Sequence, residues 1–375
     1  MAHVSRSRGA GKRLSRRARV FAALAAFVIP IAITALDIGD ADARVRAKHR
    51  VKRVVHGPGY RPPYADIMID DNTGKVLHET DPDAPRHPAS LTKVMTLYLL
   101  FGELEAGRIK LDYDLAISAK AARQNPTKLG VRAGGTIKVE DAIKGLVTKS
   151  ANDAAVVIAE ALGGSEEDFA RMMTRKARAL GMNNTTYVNA SGLPAAEQIT
   201  TARDQALLGR VIRLRFPQYY KYFSLPAFAY HGRFMGNHNS LLRTTEGVDG
   251  IKTGYTEASG YNLITSTKRG LRRIVGVILG ERSGGARDVH MRKLIEECIN
   301  KAATERTAPP IVEREVDDAE AAVMPATFQV QSPPVAPAVL APAAPPAEPP
   351  PAAAPAEAPP PAPAKLPPTA FQSAP

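Results

Sequence analysis

The chain has 375 residues, 44% of them hydrophobic, a single cysteine, and a formal net charge of +13. One cysteine excludes an intrachain disulfide framework, so any folded part must rest on a hydrophobic core, and the length is ample for one. The charge is uneven: residues 1–62 carry 14 Lys or Arg against 3 Asp, residues 307–375 carry a net −5, and the middle keeps only +7.

The first 19 residues are polar and basic, Val20–Leu36 is apolar, and small residues follow up to Ala41-Asp42-Ala43. A basic stretch, a short apolar stretch and an Ala-x-Ala site predict a secretory signal peptide over 1–43, cleaved after Ala43. The apolar run is shorter than the ~20 residues that span a bilayer, which argues against an uncleaved anchor. An exported protein of the periplasm or cell envelope is therefore expected, with no nucleic-acid partner. Residues 44–62, with Arg44, Arg46, Lys48, Arg50, Lys52 and Arg53 among Pro and Gly, read as a solvated basic linker. Such an arm is suited to touching a membrane surface or an anionic wall polymer.

A folded domain is expected over 63–305. Asp66–Asp70 and Lys75–His78 flank an Asp-Asn-Thr-Gly turn and read as a β-hairpin. After Pro-rich punctuation comes Pro88-Ala89-Ser90-Leu91-Thr92-Lys93, opening a helix whose apolar positions Val94, Leu97, Tyr98, Phe101 and Leu104 recur at helical spacing, with Gly107 placed to end it. Ser90 is expected at the helix start, as its N-cap. Val139–Leu162 is helical but broken at Ser150-Ala151-Asn152, because Ser and Asn compete for backbone hydrogen bonds. Another helix opens at Thr200-Thr201-Ala202-Arg203-Asp204 and runs through Ile212. The aromatic cluster Tyr219–Tyr230 reads as core. Gly250–Gly254, Tyr261–Ser266 and Arg272–Leu279 read as strands, and Arg287–Ala302 as a closing helix that buries Cys298. Early and late strands around a helical middle predict an α/β (α+β) fold, an antiparallel sheet flanked by helices with an inserted all-helical lobe. From Arg306 onward the chain is a Pro/Ala-rich tail that holds 20 of the 31 prolines. It cannot bury enough apolar surface to fold and is expected to be disordered.

Three short motifs carry chemistry. In Ser90-x-x-Lys93 a hydroxyl and an amine sit one helical turn apart, with Cβ atoms roughly 5–6 Å from each other. Ser150-x-Asn152 stands at the helix break, 60 residues on, and Lys252-Thr253-Gly254 stands on a strand a further 102 residues on. A serine hydroxyl is a poor nucleophile until a base takes its proton, and lysine is such a base only when burial or a second cation lowers its pKa. Lys93 is expected to be that base, and Lys252 the second cation. Ser150 is placed to relay a proton to the leaving amine, Asn152 to hold a substrate amide, and Lys252 with Thr253 to meet a carboxylate. Backbone N–H groups of Ser90 and of Tyr255, after Gly254, are expected to bind the oxyanion. No metal and no cofactor is expected.

Ser-x-x-Lys, Ser-x-Asn and Lys-Thr-Gly in this order form the signature set of penicillin-binding proteins and serine β-lactamases. The region Tyr64–Thr304 resembles the D-alanyl-D-alanine carboxypeptidases, the low-molecular-mass penicillin-binding proteins. The likeness extends to Asp70–Leu77, Pro88–Thr96, Asn189–Leu193, Thr200–Leu208, Val248–Gly254 and Gly260–Leu263. It implies a β-lactamase/transpeptidase-like fold and removal of the terminal D-alanine from peptidoglycan stem peptides through an acyl-enzyme. β-Lactam antibiotics would be covalent inhibitors. It also implies a carboxylate-binding arginine near the last strand, for which Arg287 is the candidate and Arg282 the alternative. Tyr255 departs from the Thr or His usual after Lys-Thr-Gly. A muropeptide endopeptidase, a β-lactamase and a non-catalytic wall-binding protein share the fold. Glu197 and Glu246, the glutamates weighed for β-lactamase deacylation, lack the Glu-x-x-x-Asn setting of such enzymes.

Overall fold

The computed structural model describes residues 61–316. The expected signal peptide, nearly all of the basic linker, and the Pro/Ala stretch from 317 lie outside the described residues. In chain order the elements are β1 (Ala65–Asp70), β2 (Val76–Thr80), α1 (Thr92–Glu105), β3 (Asp114–Ala116), β4 (Thr136–Lys138), α2 (Val139–Thr148), α3 (Asn152–Gly163), α4 (Glu166–Ala179), α5 (Ala202–Arg215), β5 (Ala227–Tyr230), β6 (Arg233–Gly236), β7 (Val248–Thr256), β8 (Gly260–Arg269), β9 (Arg272–Glu281) and α6 (Gly284–Ile299), with single helical turns between some of them.

Five strands form one sheet in the order β2-β1-β9-β8-β7, and every pairing in it is antiparallel. The first hairpin thus joins the last three strands. Alternation along β1 and β9 sends Ile67, Ile69, Val275 and Val277 into the larger core cluster. Met68, Ile274 and Ile278 turn to the other face, where Met291, Leu294, Ile295 and Cys298 of α6 cover them. A sheet covered on both faces reads as nearly continuous apolar sequence. The expected mixed fold is present, with one correction: the insert between β2 and β7 is not all-helical. It carries two short antiparallel ribbons, β3-β4 and β5-β6.

Helix α1 is buried on almost every side, from Thr92 to Leu104. A helix apolar all round belongs inside a domain rather than on its surface, and α1 lies between the sheet-side helix α5 and the lobe helices α3 and α4. Tyr98 and Phe101 pack edge-on against Phe216, and Phe101 stacks on Tyr219. The aromatic run therefore is core, with Tyr220, Tyr222 and Phe223 buried.

The hairpin turn is tied to α5 by a buried ion cluster. Asp71 is inaccessible to solvent; Arg210 Nε lies 3.1 Å from its Oδ1, and Arg213 pairs with its Oδ2. Past the boundary expected at residue 305, irregular chain remains attached. The N–H groups of Thr307 and Ala308 donate to Asn72 O, and Glu313 accepts from Tyr98 and pairs with Lys176.

Breaking a buried ion pair by removing one partner leaves the other charge desolvated, at a cost of about 3–5 kcal/mol. Asp71→Ala should therefore destabilise the domain by about 3 kcal/mol in urea denaturation. A loss below about 1 kcal/mol would show that water reaches the cluster.

Candidate active site

The motif serine does not sit where a helix cap would. Ala89–Leu91 form a 3₁₀ turn ahead of α1, and no side chain caps either element. The hydroxyl that bonds backward is that of Thr92, which donates to Ala89 O at 2.8 Å. The N-cap reading of Ser90 is thus corrected: its side chain is free of the helix backbone and turned toward Lys93.

Lys93 has no solvent exposure. Its Nζ lies 3.0 Å from Ser90 Oγ and 2.7 Å from Asn152 Oδ1, and it donates to Ser191 O as well. Burial, followed by the nearby positive charge of Lys252, holds its pKa well below the ordinary lysine value, against a smaller opposing pull from Asp153. A neutral amine has two N–H groups and one lone pair. The amide oxygen of Asn152 and the carbonyl of Ser191 accept only, so they take the two hydrogens. The lone pair is then left for the hydroxyl hydrogen of Ser90, which is the geometry of a general base beside its nucleophile.

Each partner is held by local chemistry. Asn152 opens α3 just after the break, and its Nδ2 donates to Asn125 O at 2.9 Å. Both ends of its amide are therefore engaged, on Lys93 and on the 125 loop. Ser191 belongs to a tight loop whose centre is Asn189: its Oδ1 accepts from the N–H groups of Ser191 and Gly192. Thr96 Oγ1 fastens the same loop to α1 by donating to Ala190 O at 2.7 Å. Gly192 has φ +84, and a Cβ there would fall 1.9 Å from Ala89 O. Only glycine lets this loop lie against the serine turn.

Ser150 behaves differently. It sits at φ +59 in the break between α2 and α3, and its Oγ is buried without a hydrogen-bond partner among the described residues. It stands two residues before Asn152, and its side chain is hydrogen-bonded to neither Lys93 nor Lys252. A buried hydroxyl left unpaired is costly and is most often found where it serves a function.

Strand β7 forms the opposite wall, at the sheet edge. A Cβ on Gly254 would lie 3.1 Å from both Pro88 O and Ser90 N, so this glycine is what lets β7 press against the serine turn. Asn262 on β8 clamps the two together: its Nδ2 donates to His87 O and Pro88 O, and its Oδ1 accepts from Gly280 N. Lys252 is buried and donates to Thr253 O at 2.8 Å. Its pKa is pushed down to about 7, first by burial and then by Arg287. Arg287 is buried against Asp288 and Asn262 O, whereas Arg282 is exposed. Tyr255 is half exposed and packs on Tyr261 with ring centroids 4.2 Å apart.

Two contributors were not legible as site residues. The Ser191 carbonyl has no side-chain signature, although its Asn-x-x-Gly loop was visible. His238, two residues after β6, reports the local field. Packing and then Lys252, Lys149, Lys93 and Arg287 push its pKa down to about 4. Such a cluster of cations favours an anionic ligand.

The family described as D-alanyl-D-alanine carboxypeptidase matches residues 63–283. The chain is similar to the D-alanyl-D-alanine carboxypeptidase DacA of Escherichia coli K12, with 36% identity over 236 residues, 61% of this chain and 59% of that protein. It thus spans about three-fifths of that relative's length. Among solved structures, the D-alanyl-D-alanine carboxypeptidase DacD of Francisella tularensis superposes with a TM-score of 0.62 at 31% identity, over 69% of this chain and 75% of that one. Penicillin-binding protein D2 of Listeria monocytogenes, in its ampicillin-bound form, superposes with a TM-score of 0.55 at 30% identity, over 62% and 96% of the two chains.

Two measurements check this geometry. In NMR of protein labelled at lysine Nζ, Lys252 should titrate near pH 7, and Lys252→Gln should raise the Lys93 midpoint, because it removes a neighbouring cation. An unmoved Lys93 midpoint would refute the coupling. Gly192→Ala should push the serine turn aside and slow acylation of Ser90 by about a hundredfold, the scale expected for an ångström of misplacement. Intact-mass spectrometry with an acylating probe reads the rate, and a wild-type rate would refute the packing argument.

Proposed function

The chain belongs to the D-alanyl-D-alanine carboxypeptidase family, and we propose on that premise that it removes the terminal D-alanine from peptidoglycan stem peptides through an acyl-enzyme on Ser90. The observation that carries this reading is the buried Lys93 amine, set between two fixed carbonyl oxygens, of Asn152 and Ser191, with its Nζ 3.0 Å from Ser90 Oγ.

Lys93 takes the hydroxyl proton as Ser90 Oγ attacks the carbonyl of the penultimate D-alanine. The oxyanion is received by the backbone N–H groups of Ser90 and Tyr255, fixed donors of the kind that stabilise developing charge without reorganising. The hydroxyl of Ser150 gives its proton to the leaving amine as the peptide C–N bond breaks and takes the proton held on Lys93 in exchange, which returns the Lys93 amine to its neutral form. The carboxylate of the departing D-alanine faces Lys252 and Thr253, with Arg287 behind them holding the field positive. Water then attacks the ester, Lys93 again serving as base, and Ser90 is restored. In the free protein Asn152 orients Lys93. Its role toward the substrate amide requires it to release one of its present partners.

A β-lactam presents the same carboxylate and an acylating carbonyl, so it should esterify Ser90 by ring opening. Its amine stays tethered to the acyl group, which obstructs water and prolongs the ester. Glu197 and Glu246 are both exposed, which gives no support to rapid glutamate-assisted deacylation of the β-lactamase type. The substrate is a wall polymer, so this reading requires export. The basic and apolar leader supports a place in the periplasm or cell envelope, with the basic arm or the tail against membrane or wall.

Ser90→Ala should abolish both labelling by fluorescent penicillin and release of D-alanine from a pentapeptide. Persistent labelling of the mutant would sink the assignment of the nucleophile. Mass spectrometry of muropeptides treated with the protein should show loss of one alanine. Cleaved cross-links without that loss would replace the carboxypeptidase reading by an endopeptidase.

A further inference from the structure

Beside the site lies a second concavity, a cleft of about 500 Å³ between the loop that follows residue 127 and the β5-β6 hairpin. Leu129, Val131 and Tyr230 line it, together with Arg132, His231 and Arg233. The hairpin turn is His231-Gly232, both at positive φ, as a two-residue turn between tightly paired strands requires. This turn places His231 edge-on against Tyr230, with ring centroids 4.2 Å apart. Arg233 reaches across the cleft and donates to Leu129 O. Its guanidinium lies so close to Gly130 that a Cβ there would come within 3.3 Å of it. Arg132 is exposed; its carbonyl accepts from Gly135 N–H, while its side chain makes no hydrogen bond or ion pair to another described residue.

The carboxylates acting on Tyr230 are Asp141 and Asp153. Asp153 is occupied: it accepts from the backbone N–H groups of Leu129, Gly130 and Val131. Neither aspartate lines the cleft, which presents two arginines, a histidine and Thr136 around an apolar floor, a composition suited to an organic anion.

The loop that forms one wall of the cleft is bonded, just before it enters that wall, to the backbone of the Ser150-Asn152 break. Thr127 O accepts from Asn152 N–H at 2.7 Å, and Thr127 Oγ1 donates to Ser150 O at 2.8 Å. Leu129, two residues on, is already cleft wall, and two residues span at most about 7 Å. In the carboxypeptidase reading, on which the choice of ligand rests, the departing D-alanine lies toward Lys252 and Thr253. In the same reading Asn152 holds a substrate amide, which assigns the acyl arm of the peptide to the Asn152 side, toward this loop.

We propose that the cleft is an accessory subsite that binds a free carboxylate on the acyl arm of the stem peptide, with Arg132 and Arg233 as its cations and His231 at its rim. Two groups of a wall peptide offer that chemistry: the α-carboxylate of a γ-linked glutamyl residue, and the second carboxylate of a diaminopimelyl side chain. The subsite would make this enzyme discriminate among stem peptides by their amidation or by their diamino acid.

Calorimetry on the Ser90→Ala protein reads this without turnover. Three pentapeptides are compared: one with both carboxylates, one with the glutamyl carboxylate amidated, and one with lysine in place of diaminopimelate. One of the last two should bind about tenfold more weakly than the first, a loss typical of one charged hydrogen bond, and which one it is identifies the carboxylate. Arg132→Gln in the same background should erase the difference, and Arg132→Lys should restore part of it. Equal affinities for all three peptides, absence of binding by any of them, or a difference that survives Arg132→Gln would overturn the subsite. The two readings fail separately. D-alanine release by the wild type at equal kcat/KM from all three peptides would leave the carboxypeptidase and remove the subsite. An Arg132-dependent affinity difference without any D-alanine release would do the reverse.

Discussion

The structure depends on keeping one lysine amine uncharged in the interior. An ammonium at the position of Lys93 would carry a desolvation penalty of several kcal/mol with no carboxylate bonded to it. The neutral amine is acceptable only if both its hydrogens find acceptors. Those acceptors come from two segments remote in sequence, Asn152 at the start of α3 and the carbonyl of Ser191. Much of the surrounding architecture follows from this requirement. The Asn189 turn, the Thr96 bond and the glycine at 192 all fix the Ser191 carbonyl against α1.

The sheet supplies the complementary half. Its edge strand carries Lys252, whose charge helps hold the Lys93 amine neutral and whose own pKa is lowered by burial and Arg287. The cations therefore form a graded set, with the Lys93 amine innermost and the Arg287 guanidinium behind the strand. Asn262 belongs to the same arrangement although it touches neither lysine. By tying the backbone before Ser90 to β8 and β9, it fixes the gap between Ser90 and strand β7.

Rigidity here comes from apolar packing on both sides of the sheet and around α1, while function occupies the seam between sheet and lobe. The seam contains residues that a purely apolar core would not keep: an unpaired serine, two buried lysines and several carbonyls turned inward. It also extends outward, since the 125–131 loop that abuts Asn152 continues as the wall of a basic cleft.

Much of this was readable from residue order alone. Periodicity set α1, the helix break and the strands, because helical and extended repeats are local properties of the chain. Three motifs set the nucleophile, the base and the second cation as candidates, because their residue types have few shared uses. What the sequence could not decide were contacts between segments. The acceptor on Lys93 is a backbone carbonyl, identical in every residue type, so only the folded chain selects Ser191. The engagement of Asn152 with Lys93, the isolation of the Ser150 hydroxyl and the preference for Arg287 over Arg282 likewise depend on distances between elements. The 3₁₀ turn at Ser90 is packed against Gly192 and Gly254, neighbours about 100 and 160 residues away in sequence. Local pattern therefore determined which groups were present and on what elements. Tertiary packing determined which lone pairs and charges face one another, because those energies act through space and not along the chain.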